Sequence, residues 1–334
     1  IARAWANASM GEMKIAIGHY SGQFALINEG VKLIDQALKL ARRLGDTETF
    51  CHAASAWLLH VKLPQRVDER LQVIGELAEC LKTGVTLSNF ALAKNCIIDA
   101  LVEFGRLNEV KQHYDEFKKI AERSEQPILL IMTMLPDAFN ALLDGRLEEA
   151  NNIGKRCAEL GEKSGIPEFG KVWGLLCSYP SLLFLGKSAE MLSQLEVLPS
   201  YYRILNLVES GRDSEVREIL KQWVLARPGI GSSEDLFTYS ADISFLRAAV
   251  SVKHKEAAEL LLRRFSKTGL YTTGILNPAC VPRHMGGAAA LLGKYDEARR
   301  YYQDAIKVCV EMRSRPELAL TRLQLAELLL EHYP

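Results

Sequence analysis

The chain has 334 residues, 48% of them hydrophobic and 25% charged, with Lys plus Arg equal to Asp plus Glu at 41 each. That balance leaves no net field to draw the chain to nucleic acid or an anionic membrane, and the composition excludes a disordered polypeptide. The longest apolar runs, such as Ile128 to Leu135, fall far short of a bilayer-spanning helix, and the sequence reads as cytoplasmic, without a secretory leader.

A short segment recurs along the chain: Gly105-Arg-Leu-Asn-Glu-Val, Gly145-Arg-Leu-Glu-Glu-Ala, Gly186-Lys-Ser-Ala-Glu-Met, Gly211-Arg-Asp-Ser-Glu-Val and Gly293-Lys-Tyr-Asp-Glu-Ala. Weaker copies open at Ala25, Gln65 and Val252, so the starts are separated by 40, 40, 40, 41, 25, 41 and 41 residues. A near-constant period of this length is the mark of a stacked repeat. The fifth position of each copy is glutamate: Glu29, Glu69, Glu109, Glu149, Glu190, Glu215, Glu256 and Glu297. Placed in the first turn of a helix, such a carboxylate is favoured by the helix dipole.

In chain order, each unit reads as a helix, a tight turn and a second helix. The first copy carries a buried stripe after its turn at Ile27, Gly30, Ile34, Ala37, Ala41 and Leu44. The last carries one at Tyr295, Ala298, Tyr302, Ala305, Cys309 and Met312, again in the alternating steps of three and four that one helix face requires. The first helices of the units are expected over Thr49 to Val61, Phe90 to Phe104, Pro136 to Leu143, Val172 to Leu185, Leu236 to Val250 and Ala288 to Leu292. Glycines at 45, 84, 165 and 269 are placed to end second helices in the left-handed conformation. The step of 25 residues between Gly186 and Gly211, bracketed by Pro180, Pro199 and Pro228, predicts a short helix ending before Pro199. A change of superhelical direction follows there. The expected fold is an all-α, right-handed solenoid of about eight helix hairpins, with one block over residues 1–185 and a second over 186–334. Its concave face is lined by the first helices.

Motifs for catalysis are weak. Gly186-Lys187-Ser188 resembles the end of a phosphate-binding loop, but Ser181 holds the position of the first glycine and the intervening Leu-Leu-Phe-Leu reads as helix interior. Cys280 and His284 stand four apart without further ligands nearby, and the seven cysteines never form a Cys-x-x-Cys pair, so no metal and no cofactor is expected. Free thiols packed as small hydrophobes are the reading for the cysteines. Polar or aromatic residues embedded in the apolar first helices are the candidates for contact with a partner: Asn95, Asp99, Asp137, Asn140, Trp173, Tyr179, Tyr239, Asp242, Arg283 and His284.

The Gly-Arg/Lys-x-x-Glu-Ala turns resemble tetratricopeptide repeats of a long-period kind. That kind occurs in the regulatory arms of signal-transducing ATPases, including maltose-type transcription activators. The last units, Gly293-Lys-Tyr-Asp-Glu-Ala-Arg-Arg-Tyr-Tyr and Arg315-Pro-Glu-Leu-Ala-Leu-Thr-Arg-Leu-Gln-Leu-Ala-Glu-Leu-Leu-Leu, are similar to the C-terminal repeats of large bacterial proteins. Those proteins join a cyclase-like or DNA-binding domain to a P-loop ATPase. The resemblance implies a non-enzymatic scaffold arm of a larger signalling or transcription-regulating protein. It would bind a protein or peptide, including an ATPase or cyclase domain of the same full-length chain. The alternative is a small-molecule sensor whose ligand sits in the groove among Trp173, Tyr179 and Tyr239. The chain opens on Ile1 and closes on Tyr333-Pro334 straight after a helical pattern, which reads as a segment of a longer protein.

Overall fold

The computed structural model describes residues 1–191, 200–266, 268–276 and 278–333, and all regular structure among them is helical. Sixteen α-helices follow in order among these residues. They are α1 (Ala2–Ser21), α2 (Phe24–Leu44), α3 (Thr47–His60), α4 (Val67–Cys80), α5 (Leu87–Glu103), α6 (Leu107–Ser124), α7 (Pro127–Leu143) and α8 (Leu147–Lys163). The rest are α9 (Pro167–Phe184), α10 (Ser200–Glu209), α11 (Asp213–Leu220), α12 (Tyr239–Ser251), α13 (Lys255–Phe265), α14 (Val281–Leu291), α15 (Tyr295–Glu311) and α16 (Arg315–His332).

Packing follows chain order. From α1 to α9 each helix lies on the next, and the odd-numbered helices touch one another in sequence; from α10 onward the even-numbered helices α10, α12, α14 and α16 do so. The switch falls where the repeat step shortens. Of the short helix expected after Gly186, the structure shows a 3-10 turn at Ser188–Met191, and residues 192–199 lie outside those described.

The turn motif explains the joints. Gly105, Gly145, Gly186, Gly211 and Gly293 all take left-handed φ, between 66° and 77°, a conformation that costs glycine nothing. The arginine after the glycine then reaches the recurrent glutamate three residues on, in Arg106–Glu109 and Arg212–Glu215, each at 2.5 Å, and in the Arg146–Glu149 pair. Glu69, Glu109, Glu149, Glu215, Glu256 and Glu297 sit in first turns as expected. The weaker copies are less regular. Ala25 lies inside α2, whose preceding turn is made by Gly22, so Glu29 is beyond the first turn; the left-handed residue of the copy opening at Val252 is Lys253.

The stripes are the core. Ile27, Gly30, Ile34, Ala37 and Ala41 are buried on α2, and Ala298, Tyr302, Ala305 and Cys309 on α15, while the end positions Leu44 and Tyr295 are exposed. Each fully buried Leu, Ile or Phe contributes about 1.5–3 kcal/mol. Three helices begin well before their sequence suggests: α7 at Pro127, passing through Pro136, α9 at Pro167, and α14 at Val281. α8 and α9 approach closely because glycines face each other. A Cβ on Gly154 would strike Ser178 and lie 2.5 Å from the Gly174 carbonyl, and one on Gly161 would lie 2.7 Å from Gly170.

The two halves of the helix stack fold onto each other. One apolar core runs from Ala8 to Cys177 but also takes in Ile275, Cys280 and residues of α15; a second runs from Leu175 to Leu328 and takes in Ile27; a smaller third joins Phe90, Phe117, Leu129 and Met132. The loop after α13 threads along the C-terminal end of α5, where the Tyr271 amide donates to the Glu103 carbonyl (2.9 Å) and the Thr272 hydroxyl to the Val102 carbonyl (3.0 Å). The Tyr239 amide donates to the Lys62 carbonyl (2.9 Å). At the N-terminal hairpin, His19 and Phe24 enter an aromatic cluster with Trp223 and Phe237.

Candidate functional site

Three buried charged clusters and one open cleft stand out among the polar features, besides buried Lys94 and its partner Glu116. The first cluster sits where α3, α4, α5 and α12 converge. Asp99 and Glu103 are four apart on α5 and so share a face. Lys62 bridges them, at 2.5 Å from Asp99 and 2.8 Å from Glu103. Arg70 meets Glu103 at 2.8 Å and donates to the Leu58 and Val61 carbonyls at 2.9 and 3.0 Å. The Tyr239 hydroxyl donates to Glu103 at 2.5 Å, and the Ile275 amide donates to Asp99 at 2.7 Å. Two cations thus face two carboxylates with a phenol between them, all buried. Burial works against the charged forms of Lys62 and Arg70, but the neighbouring carboxylates outweigh it and hold both pKa values above their ordinary ones. Burial, with Glu103 adding to it, pushes the Tyr239 phenol well up.

The second cluster repeats the two-by-two arrangement. Asp242 of α12 meets Arg227 at 2.7 Å and Arg264 at 2.6 Å, and Asp235 meets Arg264 and, at 3.6 Å, Arg227. In the third, Arg283 pairs with Glu317 across α14 and α16 and stands 3.3 Å from the His284 ring. Burial, then the positive charges of Arg283 and Arg247, holds His284 well below its usual pKa. Paired, buried charges of this kind are costly to break and give little net stability over an apolar core. Their effect is to fix which parts of the chain meet.

The cleft lies between α6, α7 and the end of α15 and has a volume of about 820 Å³. Asn108, Lys111 and Asp115 line it from α6, Asn140 and Asp144 from α7, and Glu311 and Arg313 from the far side. Its floor is shaped by Gly105, where a Cβ would strike the Tyr271 ring. The Tyr271 hydroxyl bonds Glu311, which raises its pKa. Lys111 pairs with Asp115 (2.6 Å) and Asp144 with Arg146 (2.9 Å). Asn108 and Asn140 are exposed, and neither bonds another side chain among the described residues.

The sequence candidates therefore separate. Asp99 and Tyr239 come together in the first cluster, Asp242 lies in the second, and Arg283 and His284 in the third. Asn140 lines the cleft. Just behind it, Asp137 accepts from the Tyr114 hydroxyl and pairs with Lys118 at 3.2 Å; burial first, then that bond, raises the Tyr114 pKa. Asn95 donates to the Ala91 carbonyl on its own helix (3.1 Å). Trp173 is half-buried against Phe169, and Tyr179 is buried in the second core with Tyr239. Sequence reasoning missed Lys62, Arg70, Glu103, Arg227, Asp235 and Arg264. Arg70 carried a signal, since it shares the buried stripe of α4 with Val73, Ile74 and Leu77.

All seven cysteines are free, six of them buried. Cys280 caps α14 instead of sharing its face with His284, and its sulfur lies 3.8 Å from that of Cys309. Among the described residues no group of three or more His, Cys, Asp or Glu is placed to hold a metal ion, and no helix is long and apolar enough to cross a membrane. No protein-family model and no curated protein matches the chain.

Proposed function

We propose that this chain is a protein-interaction scaffold of tetratricopeptide-like helix hairpins, the regulatory arm of a larger signalling or transcription-regulating protein, and that its cleft between α6, α7 and α15 takes an extended peptide. The observation that carries this reading is the contrast between two kinds of polar surface. The buried clusters spend their charges on one another. The cleft instead presents two exposed carboxamides, Asn108 and Asn140, from neighbouring helices. A carboxamide offers one acceptor and two donors, the pattern needed to read the backbone of an extended peptide. A volume of about 820 Å³ holds a few residues of such a segment. Arg313 on the opposite wall would meet an acidic side chain or terminal carboxylate. The partner is then a flexible segment of another protein or of a neighbouring domain, and no chemistry is performed on it.

Selection of displayed random peptides on the purified chain tests this. Enriched peptides should bind the parent chain and lose about tenfold in affinity with Asn140→Ala, and more with Asn108→Ala added. Peptides that bind the double variant as well as the parent would place the contact elsewhere. So would a selection that enriches nothing. Measurable hydrolysis or cyclisation of nucleotides by the purified chain would overturn the non-enzymatic reading.

A further inference from the structure

Positive charge withdrawn from solvent is answered almost everywhere in this protein. Among the described residues, every buried or half-buried lysine and arginine meets a carboxylate at 3.2 Å or less, from Lys14 on α1 to Arg283 on α14, with one exception. The exception is Arg247 of α12. It is half-buried, its guanidinium has no hydrogen-bond or ion-pair partner among these residues, and its nitrogens stay open to solvent.

Its surroundings follow from how α12 lies against α14. Near the start of α12 the Ser240 hydroxyl donates to the Thr273 carbonyl, ahead of α14. Near its end Val250 faces Gly287, where a Cβ would come within 3.6 Å of the valine. The two helices therefore run in the same direction, and one turn before that contact Arg247 comes opposite Arg283 and His284. The charges agree with this placement. Burial, then Arg283, lowers the Arg247 pKa, each more strongly than Tyr179, Glu317 or Glu209 raises it. Arg283 has its own partners: Nε and Nη2 hold Glu317, Nη2 also stands 3.3 Å from His284, and Nη1 lies 3.4 Å from Gln324. An unpaired guanidinium beside a second cation, both drawn out of bulk water, is a costly arrangement that an anion would relieve.

We infer that Arg247 anchors a binding site for a small apolar monocarboxylate on the face that α12 shares with α14. The planar fork of a guanidinium matches the two oxygens of a carboxylate. Arg247 and Arg283 set against Glu317 leave one positive charge over, which a singly charged acid balances. A phosphate dianion would instead put excess negative charge near Glu209 and Glu317. One turn on, Val250, Gly287 and Ala290 are half-buried and apolar, and give the hydrocarbon of the acid a surface to lie on. No residue of this site lines the cleft between α6, α7 and α15, so either reading can fail without the other.

Titration calorimetry with isovalerate at fixed ionic strength tests this. The parent chain should bind it with a dissociation constant of about 1 mM, and should bind the neutral isovaleramide and inorganic phosphate at least about tenfold more weakly. Arg247→Met keeps the bulk of the stem without the charge. It should lose the binding yet melt no lower than the ligand-free parent. Arg247→Lys keeps the charge without the fork and should weaken binding about tenfold, while the cleft variant Asn140→Ala should bind isovalerate as the parent does. The proposal is overturned by a parent chain that takes up no isovalerate at about 10 mM, or by an amide or phosphate that binds as tightly as the acid. It is overturned equally if Arg247→Met binds like the parent, or melts clearly lower without ligand, since the guanidinium would then already have its partner. A tripeptide ending in leucine with a free C terminus, bound through Arg247 more tightly than isovalerate, would overturn the assignment to a small acid.

Discussion

Replacing Glu103 with leucine removes one carboxylate from a cluster that holds two cations. Lys62 keeps Asp99 at 2.5 Å, but Arg70 keeps only the neutral carbonyls of Leu58 and Val61, and the Tyr239 hydroxyl loses its acceptor. An uncompensated buried charge costs about 3–5 kcal/mol, and an orphaned buried hydroxyl about 1–3 kcal/mol. Leucine returns part of this as apolar burial, so a net loss of about 4 kcal/mol is expected. Arg70→Met should cost a similar amount, because it leaves Glu103 sharing Lys62 with Asp99. The double variant removes both charges of the pair and should cost far less than the sum. That difference corresponds to a coupling of about 3 kcal/mol. Urea unfolding followed by far-ultraviolet circular dichroism and by the fluorescence of buried Trp57 measures all four corners of the cycle. Strict additivity would refute the reasoning, as would a loss below about 1 kcal/mol for Glu103→Leu.

Acid should loosen the N-terminal hairpin. Burial, then His60, lowers the His19 pKa from 6.5 to about 4. The unfolded chain therefore takes up a proton that the folded one refuses. Stability is full above about pH 6.5 and falls as the pH drops toward 4, by about 3 kcal/mol from this group at the lower end. His284 contributes in the same direction. His19→Gln should flatten the fall between pH 6.5 and 4 in melting experiments, and an unchanged slope would count against it. Glycine positions should split by what surrounds them. Gly75→Ala in α4, where an added Cβ has nothing within 4 Å, should stabilise by about 0.5–1 kcal/mol. Gly154→Ala, which drives into the Gly174 carbonyl, should cost about 1–3 kcal/mol or more by thermal melting.

What was legible in the amino-acid sequence was whatever repeats locally. The Gly-Arg-x-x-Glu turns announced their helix starts because one glycine conformation and one i,i+3 ion pair sufficed. The stripes at Ile27 to Ala41 and Ala298 to Cys309 announced their buried faces. Pro136 misled, since it reads as a helix start but lies inside α7, which begins at Pro127. Asp99, Tyr239 and Asp242 stood out as polar or aromatic residues in apolar helices, but their uses did not. The amides that satisfy Asp99 belong to Ile275 and Leu276, and the arginines that meet Asp242 come from a loop and from α13. Contacts such as that of Asp99 with Ile275, 176 positions on, leave no period to read. The cleft was invisible for the same reason, because α6 and α7 build it only together with the end of α15.

The loop that carries Tyr271 to Leu276 onto α5 has a consequence for how the protein can be shortened. In an array whose units touch only their neighbours, each terminal unit can be trimmed and the remainder stands. Here a cut anywhere before residue 276 would leave Asp99 without its backbone donors, and a cut before Tyr239 would deprive Glu103 of its phenol, deep inside what remains. The clasp also sets an order on folding. The hairpins can zip up along the chain from short-range contacts, but the clasp must wait for the entropy of a closed loop of some 170 residues to be overcome.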